Sequence, residues 1–515
     1  MAPQARLRIT PDRPVGTVSP YVFGTATYAD GTDAYWVGED SSIPNIRGFR
    51  RDTVRYLRRL SPQVTSYYHG LFCDWRDAVG PRDGRPPLFD PIGRAVFEET
   101  PMDRDPSFGI DEFLQFCDLI GSEALLRLSD DDVRSARDLV EYCNYEGTSR
   151  YAEMRRANGH PEPYGVKFWQ WYAWWDPAAH ARTLRDFSWV ARCIDPDIRV
   201  LCAQHGAYAE RFFAELESVP DQEMGGASLV DYICSINYLG GFDDEQDFTE
   251  ESVYRVMHNA AGLRKLFVDS DAAIQRHAGG RKPYGRFRTI DWLGRPGSNE
   301  RMGTAVTEWG ISHRFRTGTF RDALVCANVL DTYCRLSAVV PLATLTWTAN
   351  MGSGLLLTDG EATIPTPMYH LFDLYRVHKG NTALAVTVEA DEIRPTAQVT
   401  DADSVPLAGD AVKELPPLAV IGAAASRDPR GERLFLSVTN RHLRQDVTLQ
   451  VAIDGARAVT AGSVATLNAD RIEDRNDAAD PERVTTTTAP LTPRPVPFGI
   501  VLPAHSISTL ELTLA

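Results

Sequence analysis

From about residue 17 to residue 375, short apolar runs alternate with amphipathic helical stretches, and this alternation limits the fold more than any other feature. Strand-like and helix-like segments in strict succession are typical of a parallel sheet covered by helices. Eight apolar runs can be counted, which is the number that a closed (β/α)₈ barrel requires. The sequence therefore predicts an α/β fold of the TIM-barrel type. The predicted strands are Tyr21–Thr27, Val64–Tyr68, Ala124–Leu128, Val166–Trp171, Arg199–Ala203, Tyr232–Tyr238, Thr304–Glu308 and Ala343–Thr348.

The stretches between these runs carry apolar residues at helical spacing. In the clearest case, positions 110, 113, 114, 117 and 120 are apolar and would line one face of a helix. We predict helices over Ile110–Ile120, Ser135–Cys143, Ala179–Cys193 and Phe320–Leu336.

After Tyr375 the pattern changes to short segments in which apolar and polar residues alternate, separated by turn-forming residues. Such alternation predicts a C-terminal antiparallel β-sandwich domain. A strand at Arg6–Ile9 is expected to join it, and Asp470–Pro495 is expected to form a long exposed loop. The predicted division is 1–16 as the joining strand, 17–375 as the barrel and 376–515 as the sandwich. The sandwich strands are placed at Arg433–Val438, Val447–Ile453, Val464–Asn468 and Ser506–Leu514.

Composition limits the function. The formal net charge of −16 argues against a nucleic-acid partner and suits a small-molecule substrate. No run of eighteen apolar residues and no apolar leader occurs, so we expect no membrane partner and a cytoplasmic location. The eight Cys are scattered, which predicts reduced thiols, and the 11 His form no ligand-spaced cluster. We therefore predict no metal and no cofactor.

Several short sequence strings occur in order between residues 20 and 375. They are Ser42-Ile43-Pro44-Asn45, Gly48-Phe49-Arg50-Arg51-Asp52, Gly80-Pro81-Arg82-Asp83, Asp111-Glu112-Phe113-Leu114, Val140-Glu141-Tyr142-Cys143-Asn144, His160-Pro161-Glu162-Pro163-Tyr164, Glu308-Trp309 and Leu357-Thr358-Asp359-Gly360-Glu361. These strings resemble those of glycoside hydrolase family 51 arabinofuranosidases. The resemblance implies a TIM barrel with a β-sandwich, a retaining mechanism and often an intracellular homo-oligomer.

A retaining glycosidase needs a nucleophilic carboxylate and an acid/base carboxyl about 5–5.5 Å apart. Glu308 matches the nucleophile of the family, and it closes an apolar strand, where a buried charge would be costly unless it faced the barrel mouth. The alternative is a glutamate that is merely paired with a neighbouring arginine. Motif and position favour the nucleophile, with Trp309 beside it.

The acid/base motif, by contrast, is not recognisable. The family continues Phe-Trp with Gly-Ile-Gly-Asn-Glu, whereas here Ala173 and Trp174 stand at the last two positions. Asp176 follows closely and is the nearest substitute acid. An aspartate before Pro177 is also a standard helix N-cap, and we favour that interpretation.

Other strand ends also differ from the family's pattern. Tyr28 and Trp347 replace a glutamate and a glutamine of the family, and His69 lies in the segment that replaces Arg-Trp-Pro-Gly-Gly after the second strand. Asp130, within Asp130–Asp132, either places a carboxylate at the mouth or begins a helix, and the helix is favoured. Flat rings in place of polar groups predict a larger or more aromatic ligand than a bare pentose. The predicted substrate-binding residues are Tyr28, His69, Asp130, Trp171, Trp174, Asn237, Tyr238, Trp309, Trp347 and Asn350.

Three hypotheses follow. The first is a glycoside-hydrolase-like enzyme that uses Glu308 on an aromatic or glycosylated small molecule, which fits natural-product biosynthesis. The second is an arabinofuranosidase whose acid has moved to Asp176 or to Asp130–Asp132. The third is a non-catalytic pseudo-glycosidase whose pocket is filled by tryptophan.

Overall fold

The structure is a computed structural model of the 515-residue chain. It describes residues 4–28, 32–68, 73–89, 103–129, 132–172, 176–204, 207–218, 229–240, 247–278, 301–311, 318–394 and 417–515. The first strand, β1, spans Gln4–Thr17, and eight parallel strands then close into a barrel in the order β6-β7-β8-β9-β2-β3-β4-β5. These are β2 Gly24–Tyr28, β3 Val64–Tyr68, β4 Glu123–Ser129, β5 Phe168–Tyr172, β6 Arg199–Gln204, β7 Tyr232–Leu239, β8 Gly303–Ile311 and β9 Leu342–Leu345.

All eight predicted barrel strands are present, and the predicted fold class is confirmed. Three boundaries differ from the prediction by three residues, and the others agree within two. Residues Pro20–Phe23 form a 3₁₀ turn before β2, because Pro20 fixes its own φ and the Ser19 hydroxyl accepts from the Tyr21 amide at 3.3 Å. Strand β8 continues to Ile311, three residues beyond the predicted end at Glu308. Strand β9 stops at Leu345, and Trp347, two residues further on, has a φ of 72° that ends the extended backbone.

The helices lie between the strands, as the alternation predicts. Helix α2 shows the local signals most clearly: Glu112 accepts from the Gly109 amide at 2.9 Å at its start, and Gly121 ends it with a φ of 71°. Among the described residues, the helices of eight or more residues are α1 Arg51–Leu60, α2 Ile110–Ile120, α3 Val133–Asn144, α4 Arg150–Ala157, α5 Pro177–Ile194, α6 Ala207–Glu217, α7 Glu250–Ala278, α8 Phe320–Arg335 and α9 Pro367–Tyr375. A single helical turn, Thr32–Tyr35, precedes them. Within the described ranges, no helix is both long and apolar enough to cross a membrane.

A hairpin follows the barrel, formed by β10 Leu356–Asp359 and β11 Ala362–Pro365. Nine C-terminal strands and β1 form one sheet in the order β17-β16-β20-β14-β13-β12-β1-β15-β19, with β18 paired to β16. Three further pairs of two-residue strands stand apart from it: Asn45–Ile46 with Phe49–Arg50, Leu88–Phe89 with Asp103–Arg104, and Glu392–Ile393 with Leu418–Ala419. The pairings of the large sheet are antiparallel except for β1 with β15, so the N-terminal strand belongs to this sheet. The strands are β12 Thr382–Glu389, β13 Ile421–Arg427, β14 Arg433–Asn440, β15 Val447–Ile453, β16 Ala458–Leu467, β17 Thr486–Leu491, β18 Arg494–Pro495, β19 Phe498–Leu502 and β20 Ile507–Leu514.

The prediction of a long exposed loop over Asp470–Pro495 is wrong for part of this tract. Part of this tract forms β17 and β18, and another part docks on the barrel. The amides of Phe320 and Arg321 donate to the carbonyls of Asp474 and Ile472 at 2.8 and 2.7 Å. Polar composition suggested a loop, but carbonyls of this tract accept from amides of the barrel, and the Asn476 side chain donates to the Pro365 carbonyl. Helix α8 is buried along almost its whole length because it lies between barrel and sheet.

Candidate active site

The side chains that point into the barrel form two layers of opposite character. The lower layer is an apolar cluster in which Tyr232 and Cys234 are the only members with polar atoms among the described residues. One step further along the strands, towards their carboxyl ends, the inward positions of β3, β4 and β5 are held by Ser66, Arg127 and Gln170, all at most 5% exposed. Side chains in a strand alternate between faces, so residues two apart stack in successive layers. The lower layer comprises Val64, Leu125, Phe168, Leu201, Tyr232, Cys234, Ala305 and Leu342.

A β-bulge in β8 brings Glu308 into the upper layer. Val306 is in register with Ser235 on one side, but the next pair on that side is Glu308 with Ile236. On the other side, in the pairing of β8 with β9, the register shifts between Val306 and Trp309. The bulge lets both Thr307 and Glu308 reach inward-facing partners, whereas Trp309 returns to the helix-facing side. Bulges often re-aim side chains in this way beside active sites.

The bulge also takes the Thr307 carbonyl out of the ladder, and two side chains satisfy it. Arg127 Nη2 and Thr344 Oγ1 each donate to this oxygen at 2.6 Å. The Thr307 hydroxyl accepts from Gln170 Nε2 at 3.3 Å. The irregular backbone that presents Glu308 is therefore held by neighbours from three other barrel strands.

Each carboxylate oxygen of Glu308 accepts a hydrogen bond from one side chain of the described residues. Arg127 Nη1 donates to Oε1 in a close ion pair, and the Tyr238 hydroxyl donates to Oε2 at 2.5 Å. The Glu308 side chain remains 15% exposed, whereas Arg127 is only 3% exposed. Charge-assisted bonds of this kind stabilise the carboxylate and fix its orientation. The arrangement holds an anionic, accessible oxygen at the mouth of the barrel.

The Cys234 thiol lies close beneath this cluster and contacts the Thr307 hydroxyl. Burial raises its pKa to about 12. The thiol therefore stays protonated and is a weak nucleophile near neutral pH. The part of the chain that the structure describes contains no group of three metal-ligating side chains.

Sequence reasoning identified Glu308 and Tyr238 but missed Arg127 and Gln170. The signal that could have identified Arg127 is the one that identified Glu308, a charged residue within an apolar run. Arg127 interrupts the apolar run Ala124–Leu128, and a charge there must find a partner or face the barrel interior.

Three predicted substrate-binding residues point away from the interior, which corrects the prediction. Trp171 stacks on Phe187 of α5 with ring centroids 4.5 Å apart, and Trp309 packs against Phe372 at 6.1 Å. Asn237 accepts from the Ser235 hydroxyl at 2.6 Å, on the opposite face of β7 from Tyr238. The strand period of two assigns each of them to the helix-facing side.

Asp176 is the N-cap of α5. Its Oδ1 accepts from the Ala178 amide at 3.0 Å, and the residue is exposed, as the capping interpretation predicted. Similarly, Asp132 accepts from the Ser135 amide at 3.0 Å and begins α3. His69, Asp130 and Trp174 lie outside the described residues, and for Tyr28 only the backbone is described.

Trp347 and Asn350 lie just beyond β9, and both have positive φ. Trp347 is 9% exposed. The Asn350 amide holds the β10 strand, since its Nδ2 donates to Thr358 Oγ1 and its Oδ1 accepts from the Thr358 amide, both at 2.7 Å. Asn350 therefore supports the mouth of the barrel through the hairpin, a structural role that the prediction of substrate contact did not include.

Comparison with known proteins gives matches over the whole chain. The family model described as the alpha-L-arabinofuranosidase C-terminal domain matches residues 307–506, and the one described as the alpha-L-arabinofuranosidase 1 domain matches residues 63–171. An intracellular exo-alpha-L-arabinofuranosidase of Bacteroides ovatus is 25% identical over 93% of this chain and 89% of its own. An alpha-L-arabinofuranosidase C of Emericella nidulans is 31% identical over 39% of this chain and 42% of its own.

Solved structures show the same fold. A GH51 arabinofuranosidase of Xanthomonas axonopodis pv. citri superposes with a TM-score of 0.81 at 21% identity, covering 99% of this chain and all of the other. An alpha-L-arabinofuranosidase of Thermotoga maritima, in its arabinose complex, gives 0.80 at 22% identity with the same coverage.

Barrel, sheet and inward-facing glutamate together define a protein of the glycoside hydrolase class. Within that class, the two family models and the relatives that align over most of the chain are those of alpha-L-arabinofuranosidases, so this chain is similar to the arabinofuranosidases of glycoside hydrolase family 51.

Proposed function

We propose that this protein cleaves the glycosidic bond of a small-molecule glycoside with Glu308 as the nucleophile. The observation that carries the proposal is the geometry of Glu308. It faces the barrel mouth, accepts a hydrogen bond on each oxygen and retains accessible surface. A pocket plugged by tryptophan would leave this carboxylate without accessible surface, so the exposure supports an enzyme over a pseudo-glycosidase.

In the proposed first step, a Glu308 oxygen bonds to the anomeric carbon as the bond to the leaving oxygen breaks. The electron pair departs with the leaving group. Water then attacks the same carbon, the Glu308 ester bond breaks, and the proton of that water goes to solvent. Arg127 and Tyr238 keep the carboxylate oriented, which lowers the entropic cost of reaching the transition state.

We further propose that the leaving group departs without protonation by a general acid. Among the described residues, the hydrogen-bonded cluster around Glu308 contains no second carboxylate. An aryl or similarly stabilised leaving group meets this requirement. Trp171 and Trp309 pack in the core and do not line a pocket. The aromatic ligand is therefore supported mainly by this requirement on the leaving group.

The relatives are named arabinofuranosidases, so the first glycone to test is α-L-arabinofuranose. We expect hydrolysis of aryl α-L-arabinofuranosides, with kcat falling steeply as the pKa of the phenol rises. Glu308→Gln should lower kcat more than about 1,000-fold, roughly 4 kcal/mol of barrier. Azide added to Glu308→Ala should restore turnover and yield the glycosyl azide. A rate that does not change in Glu308→Gln overturns the proposal.

The family relatives favour one second candidate, an arabinofuranosidase with a relocated acid at Asp176 or Asp130–Asp132. Asp176→Asn separates the two roles of this residue, because asparagine caps a helix as well as aspartate but cannot donate a carboxyl proton. If this variant loses activity on an unactivated arabinoside while it keeps its melting temperature, the second candidate is right. Full activity of the variant leaves Asp176 as a cap only.

A further inference from the structure

The hydrogen-bonded cluster around Glu308 contains one negative and one positive charge among the residues that the structure describes. The positive charge is fixed in place, because Arg127 is only 3% exposed and its Nη2 donates to the Thr307 carbonyl at 2.6 Å. These hydrogen-bonded groups therefore sum to zero charge before any reaction. The other members of the cluster have neutral hydroxyl or amide groups and are Ser66, Gln170, Tyr238, Thr307 and Thr344.

Formation of the glycosyl-enzyme changes this balance. In the proposed first step Glu308 becomes an ester and loses its negative charge, whereas a guanidinium keeps its proton in proteins. The site gains one positive unit, whatever other groups contact Arg127. Because Arg127 is almost fully buried, water and salt screen its charge less than they would at the surface. The Glu308 carboxylate repels an anion at the barrel mouth before the first step, and a fixed cation attracts one after it.

The second step depends on whether the acceptor must lose a proton. Water must lose one, and a base in the site normally takes it. Among the described groups around Glu308, the hydroxyls and the Gln170 amide are poor bases, and the Cys234 thiol is protonated. A carboxylate or phosphate oxygen has no proton to lose, and the charge of Arg127 attracts it. Site charge and acceptor chemistry therefore favour the same class of molecule, an oxyanion.

We infer that the glycosyl-enzyme transfers its sugar to an oxyanion, a carboxylate or a phosphate, in preference to water. This inference rests on the proposed function. The acceptor oxygen bonds to the anomeric carbon while the bond from that carbon to Glu308 breaks, and the electron pair returns to Glu308 as its carboxylate. No proton moves in either step, and the product has the anomeric configuration of the donor. Donor and acceptor react in turn, because the carboxylate repels the acceptor until the first step has removed its charge.

The first test measures how the sugar is divided between acceptors. Wild-type protein is supplied with a nitrophenyl α-L-arabinofuranoside at neutral pH and constant ionic strength, with acetate, phosphate or methanol added, and NMR identifies the products. We expect an oxyanion to take most of the sugar as glycosyl acetate or glycosyl phosphate. It should also raise kcat at least about tenfold, since the general base catalysis that water requires is worth about 100-fold or more. Methanol is neutral and must lose a proton, so it should give neither effect.

Each outcome of this test is informative. Product from acetate alone identifies a carboxylate acceptor, and product from phosphate alone identifies a phosphate acceptor. Arabinose as the only product with both oxyanions, or an equal gain with methanol, overturns the inference.

The second test removes the charge that attracts the acceptor. In Arg127→Met we expect the ratio of transfer product to arabinose to fall at least about tenfold, because the Coulomb attraction is lost. This ratio does not depend on the total rate, so the low kcat of the variant does not affect it. Arg127→Lys keeps the charge and should keep most of the preference. Tyr238→Phe is the matched control, since it removes the other hydrogen bond to Glu308 without a change in charge. A wild-type ratio in Arg127→Met, or the same fall in Tyr238→Phe, contradicts the inference.

Failure of this inference and failure of the proposed function can be told apart. Turnover of the aryl substrate by Glu308→Gln at the wild-type rate rejects Glu308 as the nucleophile. Wild-type protein that requires Glu308 but releases only arabinose in acetate and in phosphate retains the proposed function and rejects the oxyanion acceptor. The first test uses the wild-type protein, so its result does not depend on the folding of any variant.

Discussion

In two of the places where this protein buries an arginine near a carboxylate, the carboxylate is satisfied in different ways. In the barrel, both Glu308 oxygens accept a hydrogen bond and the side chain reaches solvent. Between helix α8 and the sheet, Asp331 accepts from the Tyr375 hydroxyl at 2.7 Å through Oδ1, and its Oδ2 has no partner among the described residues. Arg441 lies near Asp331 but bonds Asn328 and the Ala419 carbonyl instead.

The difference shows that a buried arginine and carboxylate can have either of two roles, one in chemistry and one in stability. Complete hydrogen bonding and an opening to solvent make a carboxylate available for chemistry at the barrel mouth. Incomplete hydrogen bonding in a closed boundary makes the other carboxylate a pH-dependent element of stability. Burial raises the pKa of Asp331 to about 6, although the Arg441 charge opposes the shift.

The largest expected effect comes from the arginine of the barrel. Arg127→Met removes a donor from Glu308 and one from the Thr307 carbonyl, so we expect kcat to fall at least about 1,000-fold. Stability should fall by about 3–5 kcal/mol, as for other broken buried pairs. Steady-state kinetics on an aryl glycoside and urea unfolding measure the two effects.

Arg441→Met is the matched control for this comparison. It should lower stability by a similar amount and leave the kcat of the folded protein unchanged, because Arg441 contacts α8 and the sheet. If both variants lose activity equally, the functional distinction between the two regions fails. Arg127→Lys, which keeps the charge and loses the fork, should lie between wild type and Arg127→Met.

The second prediction concerns pH. The pKa of Asp331 in the folded state lies above its ordinary value of 3.8, so its contribution to stability is fully present below about pH 4. That contribution is lost as pH rises through about 6, and amounts to about 3 kcal/mol, since each pKa unit corresponds to about 1.4 kcal/mol. The unfolding free energy of wild type minus that of Asp331→Asn should fall between pH 4 and pH 7. A constant difference would show that Asp331 titrates normally.

The smallest expected effect tests the bulge itself. Thr344→Val removes one of the two donors to the Thr307 carbonyl while it keeps the shape of the side chain. We expect a loss of about 1 kcal/mol in stability and a fall of a few-fold in kcat, because Arg127 still holds the carbonyl. Thr332→Val, which removes a hydroxyl bonded to the Asn328 carbonyl within α8, should cost similar stability without a change in kcat. A kcat for Thr344→Val equal to that of wild type would show that the bulge does not depend on Thr344.

The barrel could be predicted because each strand and helix carries its own pattern. Alternating apolar runs placed all eight strands, and helix α2 was predicted to the residue. Site residues were harder. Trp171 and Trp309 have ring chemistry suited to a sugar, but the direction of a side chain depends on strand phase, and the bulge at Thr307–Glu308 changes that phase in mid-strand.

The sequence alone determined the order of strands and helices, the family resemblance and the position of Glu308 at the end of an apolar run. The tertiary structure alone decided which side chains hydrogen-bond to Glu308. Arg127 and Glu308 are 181 positions apart, and Tyr238 reaches Glu308 across 70 positions. Local sequence patterns report on contacts a few residues apart, whereas closure of the barrel brings distant strands together and sets the charge around the carboxylate.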